Sequence, residues 1–154
     1  MTKIIRNLRI SISLLALVLV GLSSLTAMAQ TRPFHLVEHG TLTQDQPGHI
    51  IAEGTGTATH LGSIAVHRTF TLTPSGDGSG LLDVNGQATL VAANGDLLES
   101  TIKGTLNPLT GHAILIYEWN GGTGRFENAT GTTTWQVDVD GASYDVVADG
   151  VINF

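Results

Sequence analysis

Turn-forming residues interrupt this chain at short intervals from residue 30 to its end, and no other feature constrains its fold as strongly. The clusters are Gln46-Pro47-Gly48, Leu61-Gly62-Ser63, Pro74-Ser75-Gly76-Asp77-Gly78, Asn94-Gly95, Asn107-Pro108, Asn120-Gly121-Gly122 and Asp140-Gly141. Gly admits positive φ, Pro presets φ, and Asn or Asp closes local turns with its side chain. Between the clusters apolar and polar residues alternate, and no window shows an apolar stripe at helical spacing. The pattern predicts strands near Phe34–His39, His49–His60, Ile64–Thr73, Gly86–Ala92, Leu97–Thr105, His112–Trp119, Thr132–Asp138 and Ser143–Asn153. Asn94-Gly95 and Asp140-Gly141 are predicted to form two-residue type I′ hairpin turns, whose central positions both need φ > 0.

Eight strands joined by short loops favour antiparallel pairing of sequence neighbours. Closing such a meander removes its two edges, which otherwise invite association. The expected fold is therefore all-β, an eight-stranded antiparallel barrel, with a β-sandwich as the alternative. The interior of such a barrel holds side chains or one small ligand. Composition agrees: the chain has 19 Gly, no Cys and an abundance of Thr, a β-branched residue suited to a pleated surface. Without disulfides, stability has to come from a packed core.

The first residues carry a different signal. Lys3, Arg6 and Arg9 precede an apolar run from Ile10 to Leu22, interrupted by Ser11 and Ser13, and Ala27-Met28-Ala29 follows. This is the order of a secretory signal peptide of bacterial type, spanning residues 1–29 with cleavage before Gln30. The run is shorter than the roughly twenty residues needed to cross a bilayer. The expectation is a secreted or periplasmic protein consisting of one domain, residues 30–154. That domain keeps Arg32, Arg68, Lys103 and Arg125 against 13 acidic residues. So acidic a surface is a poor match for nucleic acid, or for an anionic membrane once the signal is removed. A homo-oligomer stays open.

Side-chain parity nominates the inner surface. Ile64, Val66, Arg68, Phe70 and Leu72 share one face, Trp135, Val137 and Val139 another, and Tyr144, Val146, Ala148, Ile152 and Phe154 a third. A hairpin centred on Gly62-Ser63 would set Leu61 opposite Ile64 and Thr57 opposite Arg68, turning Ile51, Glu53, Thr55 and Thr57 inward. A register shift of one residue would exchange the two faces of that strand. Glu53 and Arg68 would then interrupt an apolar face, as a buried ion pair or as an acid and a ligand-orienting cation. They are the candidate catalytic residues. Together with Phe70, Tyr117, Glu118 and Trp135 they make the candidate ligand pocket.

Six histidines raise the question of metal. The same register puts His60 and His67 on one face across two strands, close enough to share an ion, yet no established ligand spacing occurs. No metal and no cofactor are expected. No G-x-S-x-G elbow is present, and no serine stands apart from turn serines, which counts against a hydrolase.

The segment Gly121-Gly122-Thr123-Gly124-Arg125-Phe126-Glu127-Asn128-Ala129-Thr130-Gly131 resembles the G-G-T-G-x-F-x-x-A-x-G signature of dirigent proteins and allene oxide cyclases. The tract Gly54–Gly62 looks similar to one in secreted bacterial relatives of that superfamily. The resemblance implies a calycin-like barrel whose interior holds a small hydrophobic molecule. By their chemistry, Gly121, Gly122, Thr123, Gly124, Phe126, Ala129 and Gly131 form a structural turn motif: the glycines supply φ > 0 and Phe126 an apolar anchor. A secreted barrel that binds a small apolar molecule, or acts as a non-catalytic scaffold, is the leading expectation. The alternatives are a cofactor-free cyclase or isomerase acting inside the barrel, and a histidine-based metal-binding module.

Overall fold

A computed structural model describes residues 30–154. The signal peptide expected over residues 1–29, with its cleavage before Gln30, lies outside the described residues. Eight strands close into an antiparallel barrel in sequence order. They are β1 (Thr31–Gln46), β2 (His49–Ala58), β3 (Gly62–Pro74), β4 (Leu82–Val91), β5 (Leu97–Leu106), β6 (His112–Gly122), β7 (Thr130–Asp140) and β8 (Ser143–Asn153). Closure is made by β1 against β8, from Thr31 opposite Asn153 to Thr41 opposite Ser143. The barrel expectation holds and the β-sandwich alternative falls.

The first strand runs well past the predicted Phe34–His39. Gly40 does not turn the chain but lies inside β1 opposite Gly54 of β2, and Thr41-Leu42-Thr43 continue the alternation. Both hairpins predicted as type I′ form with other geometry. Around Asn94-Gly95 the loop is three residues long: the Gly95 amide donates to Ala92 O at 2.9 Å, and Gly95 alone takes φ 87°. That is a turn closed by one left-handed residue. At the other site Asp140 pairs with Ser143, so the central residues are Gly141-Ala142, with only Gly141 (φ 62°) positive. This sign pattern belongs to a type II′ turn, which asks for Gly at its first central position.

The largest correction concerns β2 and β3. Their turn is centred farther back, with Ala58 opposite Gly62, Thr57 opposite Ser63 and Ala52 opposite Arg68. The Leu61 amide donates to Ala58 O, and His60 adopts φ 67° within this turn. The pairing differs from the predicted register by an odd number of residues, so β2 exchanges its faces. Ala52, Gly54, Gly56 and Ala58 point inward, while Glu53, Thr55 and Thr57 are exposed. The predicted inner rows of β3, β7 and β8 all face the core.

The two ends of the barrel differ. One end carries the β2–β3 and β4–β5 turns and the Gly121–Gly131 segment, and it is plugged by Leu61, Phe126, Leu98 and Ile152, each at most 1% exposed. In that segment a single 3₁₀ turn, Gly124–Phe126, drives the Phe126 ring edge-on against Phe154 with centroids 5.0 Å apart. Thr123 joins it to β5, since its amide donates to Leu97 O and its hydroxyl accepts from the Leu97 amide, both at 2.9 Å. Gly124 has φ 56°, and a Cβ there would fall 2.2 Å from Asp96 Oδ1. Among the described residues the opposite end has no such plug. Leu42, Ile50, Leu72, Leu106 and Val139 ring it and are only partly buried.

Candidate functional site

The open end leads to a cavity of ≈ 70 Å³ whose wall is almost wholly apolar. Phe70, Val84, Leu115, Val137 and Val146 form its sides, while Arg68, Tyr117 and Tyr144 supply its polar atoms. Alternation delivers these side chains: each is the inward member of its strand, and the cavity persists because Ala52 and Ala113 are small.

Arg68 is 2% exposed in the barrel interior, and its partner is Glu38 of β1, 1% exposed. The contact is bidentate: Nη1 donates to Oε1 at 2.6 Å and Nη2 to Oε2 at 2.5 Å. Tyr144 completes a triangle, its hydroxyl donating to Glu38 Oε1 at 2.6 Å and accepting from Arg68 Nη1 at 2.9 Å. Planar two-point pairing of this kind is the strongest common ion-pair geometry. A buried pair without it would not repay the desolvation of its charges.

Two glycines make room for the triangle. Gly40 and Gly54 face each other across β1 and β2. A Cβ on Gly54 would lie 2.1 Å from Glu38 Oε1 and 2.3 Å from the Tyr144 hydroxyl, and one on Gly40 would lie 2.4 Å from that hydroxyl. The carboxylate and phenol thus occupy space that any other residue at these positions would take.

Aromatic rings carry the guanidinium on another side. Its Cζ lies 4.9 Å from the Trp135 ring centroid, and Tyr117 stacks on Trp135 at 3.9 Å with planes 12° apart. The Trp135 indole N–H donates to Thr133 Oγ1 at 2.7 Å. Burial opposes the charge on Arg68, but the hydrogen-bonded Glu38 carboxylate favours it, and the pKa stays above its ordinary value. Burial likewise raises the pKa of the Tyr117 and Tyr144 hydroxyls, so both remain protonated donors at neutral pH. The Tyr117 hydroxyl lies against the Arg68 guanidinium, and among the described residues Arg68 Nε is buried without a partner.

Of the residues nominated from sequence, Arg68, Phe70, Tyr117 and Trp135 come together here. Glu53 does not. The exchanged face of β2 puts it outside, where Oε1 accepts a 2.5 Å hydrogen bond from His67 Nδ1. Glu118 is also exposed, because Tyr117 and Trp119 on either side of it take the inward positions of β6. His60 and His67 are not neighbours: His67 sits opposite Glu53, whereas His60 lies in the turn at the plugged end, with Nε2 2.9 Å from Pro33 O. No group of three metal-ligating side chains occurs among the described residues. Sequence reasoning missed Glu38. Its signal was present in the alternation Phe34, Leu36, Glu38, which places an acid on an otherwise apolar face.

No protein-family model matches the chain, and no curated protein resembles it at a significant level.

Proposed function

We propose that the protein is a secreted barrel that binds a small, largely apolar molecule through its unplugged end. The observation that carries this reading is the apolar cavity itself, lined deep inside by Arg68 and Tyr144 of the triangle. A domain that needed only a core would gain by filling that space, since a void forfeits dispersion contacts. Convergence of a few polar groups in an apolar pocket is the usual composition of a small-molecule site. The Gly121–Gly131 segment and the eight-stranded closure support kinship with the dirigent and allene oxide cyclase type of calycin-like barrel. In that reading the segment seals the far end and takes no part in binding.

Binding is favoured over a cofactor-free cyclase or isomerase by the state of the carboxylate. A general base needs a lone pair within reach of its substrate, whereas Glu38 does not line the cavity and its carboxylate accepts three hydrogen bonds from Arg68 and Tyr144.

Native mass spectrometry of protein from its natural host tests the reading. A small-molecule adduct is expected, and Ala113→Phe, which projects a ring into the cavity, should abolish it while the barrel stays folded. Adduct-free protein that also ignores added apolar probes would overturn it.

A further inference from the structure

The chemistry of the ligand can be narrowed from the donors that the triangle leaves unused. Glu38 neutralises Arg68 within hydrogen-bond distance, and together with Tyr144 it occupies both terminal guanidinium nitrogens. Each terminal nitrogen carries two N–H groups and three of these four are used, so what remains is the second N–H of Nη2 and that of Nε, the latter buried without a partner. The Tyr117 hydroxyl, on a residue that lines the same cavity, lies against the guanidinium, and among the described residues its proton has no acceptor. All are donors, and no free carboxylate faces them. A buried donor left unpaired is costly, and buried polar groups in folded proteins are nearly always satisfied.

We propose that the ligand is an uncharged molecule whose apolar body carries one carbonyl-type oxygen that accepts hydrogen bonds from Tyr117 and Arg68, and that the pocket selects against carboxylates. The inference rests on the binding reading above. A carbonyl oxygen offers two lone pairs and no proton, matching two donors. A carboxylate would bring a second negative charge to a site whose only cation is already neutralised, among walls that cannot solvate it. The ion pair in this view sets the charge class of the ligand by cancelling Arg68.

Titration of the folded protein, followed by NMR, tests this with three probes: cyclohexanone, methylenecyclohexane (the same shape with CH₂ in place of oxygen) and cyclopentanecarboxylate at pH 7. Tyr117→Phe keeps the ring stacked on Trp135 and removes only the hydroxyl. It should weaken cyclohexanone by about tenfold, the effect of one hydrogen bond, and leave methylenecyclohexane unchanged. An equal effect on both probes would overturn the proposal while sparing the binding reading. If neither neutral probe binds wild-type protein, the binding reading itself fails. Cyclopentanecarboxylate should not compete with cyclohexanone in wild-type protein, and Glu38→Gln, which leaves Arg68 uncompensated, should admit it. Carboxylate binding to wild-type protein as tight as that of the ketone would overturn the charge argument without any variant.

Discussion

The two halves of this barrel are built from the same alternating strands and are used in opposite ways. At the plugged end the inward positions hold Leu61, Leu98, Phe126 and Ile152, almost fully buried. At the open end Leu42, Ile50, Leu72, Leu106 and Val139 remain partly exposed around a cavity. The connections differ too. The plugged end folds Gly121–Gly131 back over the opening, whereas at the open end the β7–β8 connection is the two residues Gly141 and Ala142 and the longer β3–β4 connection, residues 75–81, stays largely exposed. A closed meander has no edge to pair, so its ends are the only places where function can reach the interior. Stability is concentrated at one end, which frees the other to be imperfectly packed. The Arg68–Glu38–Tyr144 triangle lies at the inner limit of the cavity.

Breaking either half where it is most buried should give the largest effects. Phe126→Ala at the plug is expected to cost about 3–5 kcal/mol in urea unfolding, without changing the affinity of apolar probes at the far end. Glu38→Ala should cost a similar amount, about 3–5 kcal/mol, because it strands the Arg68 charge. The double replacement Glu38→Leu with Arg68→Met should be milder than the two single effects added together. A plug variant that loses probe binding would mean that the halves are coupled and the contrast is wrong.

Tyr144→Phe removes one side of the triangle and leaves the ring in place. A loss of about 1.5–3 kcal/mol is expected, the range for a hydrogen bond to a charged group, again read from urea unfolding. Gly54→Ala is a sharper probe of the same place, since its methyl group enters the space of the Glu38 carboxylate and should disorder the triangle.

At the open rim the effect should be smaller. Leu72→Ala removes apolar area that is only partly out of water, at a cost of about 1 kcal/mol, and it should weaken apolar probes as well. A core-sized loss would show that the rim is packed and the cavity closed.

The smallest effect lies on the outer surface, at the β1–β2 turn. The side-chain hydrogen bond with His49, 2.5 Å between His49 Nδ1 and Asp45 Oδ1, lowers the Asp45 pKa despite the opposing effect of desolvation. A carboxylate whose folded pKa lies below its unfolded value stabilises the fold above that unfolded value, near about 3.9 for Asp. The contribution is lost as pH falls through the folded pKa. Carboxyl NMR should find Asp45 titrating below the ordinary Asp range and returning towards it in His49→Ala. Stability at pH 7 should not move measurably, because the pair is exposed to solvent.

Much of the barrel was legible because its signals are local. Alternation placed Ile64, Val66, Arg68 and Phe70 on one face, and Trp135 and Val137 on another, and all are buried. Turn chemistry separated the strands to within a few residues for most of the chain. The predicted first strand stopped at His39, short of Gly40, a glycine that serves close approach to Tyr144 inside β1. Turn chemistry failed at the β2–β3 hairpin, where His60 takes the left-handed conformation that the sequence had suggested only for Gly62.

That hairpin decided the site. Strand residues face alternate sides, so parity within each strand is written in the sequence, and it determined that an arginine would be buried among apolar side chains. Parity between strands depends on the turn that joins them, and an odd change in register moves a whole row from one side of the sheet to the other. The sequence holds two carboxylates on strands near Arg68, Glu53, which was paired with it, and Glu38, which was passed over. Only the closed tertiary structure chose between them, because barrel closure brings Glu38 within 2.5–2.6 Å of the guanidinium while the β2–β3 pairing turns Glu53 to solvent beside His67. Which end of the barrel is open was likewise a tertiary outcome. It depends on where Phe126 and Phe154, 28 positions apart in the sequence, meet in space, and no local pattern contains that contact.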